Sequence, residues 1–394
     1  MCVGVLLACS GAVPAASAAG GNGTGGDGTG RGTLLSHHVE RLTRAEVRDV
    51  LKAEQLPETD ARHPIDVHRV RYRTIDPQGR PTVASGVVAI PRGAPRAQRV
   101  VVYEHGTTVE RAGAPSGSNA HDNLTYPLYF ASAGHFTVAP DYLGLGSGPG
   151  FHPYEHAASE ATASLDLIRA ARRLADRAHL RLDERVLVTG FSQGGHAAMA
   201  LARSLDGGAD PHLRLGALAP VAGPYDFDGV MRPAALAYQG KETNLSLAYL
   251  MLAWGPIYGL YRNPAEVFRA DQVENVTNLF AGKLPDKDVL DRLPDTLEGL
   301  FRAEFVARLQ QPDDALAAAL RANDATCSWT PSVPVVLFGG AADHTVPFAN
   351  TENCARRLTE RAASVRVVNV GPVDHFASRR LAIPQVLAGF ARQA

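Results

Sequence analysis

The stretch Val186 to Ala200, VLVTGFSQGGHAAMA, sets one serine between two glycines, where a β-branched run meets small, helix-forming residues. Gly190 and Gly194 stand two positions either side of Ser192. A chain that leaves a buried strand and enters a helix within one residue needs glycine where its backbones cross. The serine at such an elbow is held in a strained conformation that exposes its hydroxyl. The N–H groups at the start of the new helix, that of Gln193 first, then face the place where negative charge develops when the hydroxyl attacks a carbonyl. In a chain with 38 glycines a lone G-x-S-x-G is a weak sign. Its force comes from the strand behind it and the helix ahead.

A serine needs a base, and the base needs an orienting acid. At an elbow of this kind the partners follow in the order Ser, acid, His, on loops after later strands. LFGGAADHTVP puts Asp343 after one apolar run, and VVNVGPVDHFA puts His375 after the last. Asp343 is therefore expected to accept from Nδ1 of His375, leaving Nε2 to take the proton of Ser192. Asp374 adjoins the histidine and cannot easily fold back to its Nδ1, and His344 has no strand end of its own. The second oxyanion donor is expected from the loop after an early strand, where YEHGTT offers the N–H of Thr107, with Gly106 allowing close approach. His105 is expected to shape that turn.

One rival chemistry has its own motif. HPYEH, from His152 to His156, matches the H-x-x-E-H pattern of an inverted zinc-hydrolase site, with Glu155 as its general base. Pro153 fits only a helix's first turn, so His152 would precede the helix and the two histidines would not share a face. A loop or capping role is expected instead, with no metal and no organic cofactor. His196 and His121 are expected to be packing groups.

These residues need a scaffold, and the apolar runs outline one. Thr43 to Glu46 is a capping box that opens a short helix. His68–Thr74 and Thr82–Ile90 alternate around a turn at Asp76–Gly79, which reads as a hairpin. Thereafter continuous apolar runs (RVVVYEHG, HFTVAP, RVLVTG, LRLGALAPVAG, PVVLFGG and SVRVVNVG) alternate with helical patterns. Strands of that texture are buried on both faces, so the fold class is α/β, with a doubly wound, mostly parallel sheet. The expected division is a core of residues 35–223 and 331–394, interrupted by a helical cap or lid over 224–330. Within that cap, LSLAYLMLAWGPIYGLYRNP is conspicuously apolar. Met251, Trp254 and Tyr258 could line an acyl site there, although such stripes usually just pack.

Of the 394 residues, 20% are charged and the formal net charge is −1, which gives no electrostatic footprint for nucleic acid. Residues 1–19 read as a secretion signal, with an apolar run from Val3 to Ala8 and the small-residue pattern Ala16-Ser17-Ala18, though without a basic start. Leu6-Leu7-Ala8-Cys9 also resembles a lipoprotein box, so a lipid anchor at Cys9 is the alternative to free secretion. Residues 20–34 read as a Gly-rich flexible linker. Removal of the leader leaves Cys327 and Cys354, which in an exported protein are usually paired. No apolar run approaches the roughly 20 residues of a membrane span.

The residues that carry this chemistry also resemble a known family. APDYLGLGS (Ala139–Ser147), the following His152-Pro153-Tyr154, GFSQGG and GGAADHTVP are similar to segments of α/β-hydrolases of the secretory lipase type. The likeness runs from about Val100 to His375. It implies an α/β-hydrolase core with a helical cap inserted before the strand that carries the acid. It also implies Ser192, Asp343 and His375 as the reacting residues, and esters of fatty or other carboxylic acids as substrates. The cap carries no recognisable motif, and acyl preference stays open. The same triad could serve a peptidase or amidase, and the scaffold could serve a binding protein. The intact Ser-Asp-His order argues against the last.

Overall fold

The computed structural model describes residues 30–392, so the leader with Cys2 and Cys9 and the start of the Gly-rich segment lie outside the described residues. The end of that segment is already docked on the fold: Arg31 pairs with Asp166 at 3.0 Å and the Gly32 N–H donates to the Arg73 carbonyl. The expected linker therefore gives way to the fold slightly before residue 34.

Nine strands form one sheet: β1 (Leu34–Leu42), β2 (Ile65–Ile75), β3 (Pro81–Pro91), β4 (Ala97–Glu104), β5 (Phe136–Pro140), β6 (Arg181–Phe191), β7 (Arg214–Val221), β8 (Val335–Gly339) and β9 (Val365–Asn369). Their order is β1-β2-β3-β5-β4-β6-β7-β8-β9. The expected hairpin is the antiparallel pair β2–β3, while β5, β4 and β6 to β9 run parallel. Side chains on β4 alternate between the two faces, as strand geometry requires. Val100 and Val102 join the core under α3 (Ala157–Arg177) and α4 (Gln193–Asp206). Val101 and Tyr103 join the opposite core, formed with α1 (Arg44–Ala53), α2 (His121–Ser132) and the C-terminal helix α13 (His375–Ala391). Burial on both faces is why these strands read as unbroken apolar runs.

Between β7 and β8 the chain makes a π-helical turn (Phe227–Met231) and helices α5 (Arg232–Ala237), α6 (Lys241–Tyr258), α7 (Val273–Leu279), α8 (Asp286–Asp291), α9 (Leu297–Leu300), α10 (Ala303–Gln310) and α11 (Asp314–Asp324). This helical segment has its own apolar core around Trp254, Phe268, Phe301 and Phe305. It is fastened back to the sheet domain by the disulfide Cys327–Cys354, whose second cysteine lies on α12 (Ala349–Thr359). Among the described residues no helix is long and apolar enough to cross a membrane.

Candidate active site

The elbow is where the sequence predicts a sharp turn. β6 ends at Phe191, α4 begins at Gln193, and Ser192 between them has φ 59° and ψ −125°. A non-glycine residue at such angles costs on the order of 1–3 kcal/mol and persists only where its surroundings impose it. Those surroundings are backbone. A Cβ on Gly190 would lie 2.1 Å from the Gly194 carbonyl oxygen, and one on Gly194 would lie 2.0 Å from that of Glu104. The elbow and the end of β4 touch so closely that only glycine fits.

His375 is the first residue of α13, one strand beyond Asp343, which lies in the loop after β8. Its Nδ1 is 2.6 Å from Asp343 Oδ2, and both side chains are buried. The other oxygen of Asp343 accepts from the N–H groups of Thr345 (3.0 Å) and Val346 (2.8 Å), so the carboxylate is fixed before the imidazole reaches it. Asp374 does not compete: it caps α13, accepting from the Ala377 N–H at 2.8 Å. The Phe191 ring packs 4.5 Å from the His375 ring and helps to orient it. His375 Nε2 is buried with no hydrogen-bond partner among the described residues. It lines, together with Ser192, a cavity of about 380 Å³.

Thr107 follows β4 and lines the same cavity. A Cβ on Gly106 would sit 3.7 Å from Cβ of Ser192, so the turn passes beside the elbow. Neither the Thr107 nor the Gln193 backbone N–H finds an acceptor among the described residues. The Thr107 hydroxyl shares a 2.9 Å hydrogen bond with that of Tyr154. His105 shapes the turn as expected, with Nδ1 at 2.6 Å from the Gly106 carbonyl and Nε2 at 3.3 Å from that of Asp141. Burial pushes its pKa down to about 4, which keeps it neutral.

The side chain of Gln193 is anchored from behind. Its Nε2 donates to His152 Nε2 (2.9 Å) and to Glu160 Oε1 (3.1 Å). Burial pushes His152 down to about 3, so the ring is neutral and can accept from Gln193 while its Nδ1–H donates to the Leu143 carbonyl at 2.9 Å. Glu160 also meets His196 Nδ1 at 2.8 Å, and His196 Nε2 reaches the Asn323 carbonyl at 3.2 Å. Burial alone would lower the pKa of His196, but the Glu160 carboxylate outweighs it and raises the pKa. The HPYEH histidines are thus structural: His152 braces Gln193, and His156 caps α3 by accepting from the Ser159 N–H.

Three expected ligand contacts lie elsewhere. Met251, Trp254 and Tyr258 do not line the cavity of Ser192. Met251 and Trp254 are buried in the core of the helical segment, with the Trp254 N–H donating to the Tyr154 carbonyl at 3.1 Å. Tyr258 accepts from Asn323 Nδ2 at 2.9 Å. The segment instead presents Met231, Glu242, Leu245, Ser246, Asp286, Lys287 and Leu290 to the cavity, so only the first two residues of the apolar stretch reach it. Glu155, at a positive φ of 52°, also faces the cavity. Burial pushes its carboxyl up to about 8, against the pull of His196 and with Glu160 adding to the rise.

Comparison with known proteins follows the same lines. The family model for secretory lipases matches residues 121–224, which include the elbow. No curated protein sequence matches the chain. A putative hydrolase from Legionella pneumophila is similar over 91% of this chain and 98% of its own, with 26% identity and a TM-score of 0.85. The rice cell wall degrading esterase LipA from Xanthomonas oryzae is similar over 92% of this chain and 100% of its own, with 29% identity and a TM-score of 0.83. Candida antarctica lipase A shares the fold at 17% identity, over 88% of this chain and 78% of its own, with a TM-score of 0.65. With its mostly parallel sheet, its elbow and these likenesses, the chain is an α/β-hydrolase similar to the secretory lipases, and its class is that of the carboxylic ester hydrolases.

Proposed function

We propose that this chain is an exported serine hydrolase that cleaves carboxylic esters through an acyl-enzyme, with Ser192, His375 and Asp343 as its triad. The observation that carries the reading is the 2.6 Å Asp343–His375 pair in the same cavity as a serine held at positive φ. Ser192 Oγ attacks the ester carbonyl and His375 Nε2 takes its proton. Asp343 steadies the imidazolium that results and holds the ring in the required tautomer. The negative oxygen settles between the N–H groups of Thr107 and Gln193, each worth about 3 kcal/mol of transition-state stabilisation. His375 returns the proton to the departing alcohol, and water then repeats the sequence on the acyl-enzyme. Every step uses groups of this chain, and no cofactor takes part.

The helical segment of residues 224–330 acts as the cap of a core formed by 35–223 and 331–394, and it supplies one wall of the substrate cavity. Export is supported by the leader pattern, by the secretory lipase match and by the Cys327–Cys354 disulfide, a bond of oxidising compartments. The reading is tested with p-nitrophenyl esters beside aminoacyl anilides. Ser192→Ala should lower kcat for esters by about 10⁴-fold or more. Asp343→Asn should lower it by about 10⁴-fold with little change in KM. Ester hydrolysis that survives Ser192→Ala would overturn the mechanism, and activity confined to anilides would overturn the substrate class.

A further inference from the structure

Beside the cavity of Ser192, and sharing part of its wall, lies a second, smaller chamber of about 100 Å³. Beyond the residues shared with the cavity of Ser192, one side of its lining is hydrocarbon, from Phe227, Ala234, Ala235, Leu247 and Leu250, and the other is polar, from Arg232, Tyr238, Thr243 and His344. The hydrocarbon side suits an apolar ligand tail. Glu155, Met231, Glu242, Ser246 and Thr345 border both chambers. The boundary therefore carries two carboxyls and two hydroxyls. Glu242 accepts from the Thr345 hydroxyl at 3.2 Å, which ties the start of α6 to the loop that carries Asp343. Glu155 is fixed from the other side, at the positive-φ position just before α3, and its side chain is nearly buried between the two spaces. The acyl-transfer chemistry does not use this carboxyl. A hydrocarbon chain that crosses the boundary must lie against this carboxyl and cover the more exposed Glu242 and Thr345, and it can give no hydrogen bond in return.

We propose that Glu155 sets the acyl-length limit of this enzyme: its carboxyl bars hydrocarbon from the second chamber, and the substrates are esters of short-chain acids whose acyl group is held entirely beside Ser192. This rests on the triad reading above.

The test compares kcat/KM for p-nitrophenyl acetate, butanoate, octanoate and palmitate. The wild type should prefer acetate or butanoate and lose about tenfold or more by octanoate. Glu155→Gln keeps the size and polarity of the border and should keep that profile. Glu155→Leu should raise the octanoate-to-butanoate ratio by about tenfold or more. Adding Leu250→Phe, which fills the second chamber, should remove that gain. Glu155→Asn, shorter and tolerated at positive φ, should shift the ratio in the same direction and serves if the leucine variant does not fold. A wild-type optimum at octanoate or palmitate overturns the inference. So does a ratio unmoved in a folded Glu155→Leu or Glu155→Asn protein, or a gain that survives Leu250→Phe. Ester hydrolysis that persists in Ser192→Ala is a different failure, since it removes the triad reading itself.

Discussion

Three carboxyls near the elbow divide the work by environment. Asp343 is fixed by two backbone N–H groups and the imidazole of His375. Glu160 is buried but paired with His196 and Gln193. Glu104, at the end of β4 beneath the elbow, has no such support. The nearby hydroxyls of Ser164 and Tyr142 donate instead to the carbonyls of Glu160 (2.8 Å) and His105 (3.1 Å), and neither oxygen of Glu104 has a well-formed hydrogen bond. Burial pushes its carboxyl up to about 8, and Glu160 adds to the rise. The native chain therefore keeps a proton that the unfolded chain sheds near the ordinary glutamate value, and stability falls as pH rises between the two. Glu104→Gln does not titrate. From near equality at pH 4, the variant should be more stable than the wild type by about 4 kcal/mol at pH 8. Urea melts across that range check it, and parallel pH profiles for the two proteins would contradict it.

At the scale of elements, the elbow depends on two backbones in contact. Because a Cβ on Gly194 would stand 2.0 Å from the Glu104 carbonyl oxygen, Gly194→Ala must push β4 and α4 apart. We expect a loss of about 3 kcal/mol or more, or insoluble protein, and in any soluble fraction a larger fall in kcat than in substrate affinity. Native-like unfolding and kinetics in that variant would contradict the crossing geometry. The elbow was readable in sequence because its signals are local: a β-branched run, two spaced glycines and a helix-forming tail. The positions of Asp343 and His375 were readable because each follows an apolar run. By contrast β1 was not, since nearly all its residues are exposed and no alternation marks it. The side of α6 that meets the cavity was hidden too. That helix is apolar almost all round, so its sequence period does not separate Met251 and Trp254, facing the segment's own core, from Leu245 and Ser246, facing Ser192.

At the scale of the whole molecule, the helical segment and the sheet domain are joined by packing, polar contacts and one covalent tie. The network Gln193–Glu160–His196–Asn323 runs from the elbow to α11, and the Ala157 N–H donates to Asn323 Oδ1 at 3.0 Å. Cys327–Cys354 closes a loop with a sequence separation of 27 residues at the segment's end. In the chain-entropy description such a closure is worth about 3.5 kcal/mol. Cys327→Ser/Cys354→Ser should lose about that much in denaturant unfolding, and the wild type should lose the same once reduced. No difference between oxidised wild type and the double variant would contradict it. These long-range ties were the least legible part of the sequence, because a buried Gln–Glu–His chain leaves no spacing pattern. Only the pairing of the two cysteines could be anticipated, by elimination.

The central claim is that Ser192 forms the covalent intermediate. It is tested most directly by treating the protein with a p-nitrophenyl alkylphosphonate and mapping the adduct by peptide mass spectrometry. The account predicts stoichiometric inactivation, with the phosphonyl group on the peptide that contains Ser192 and no adduct in Ser192→Ala. Inactivation with the label on another residue, or full ester hydrolysis in protein labelled at Ser192, would contradict it.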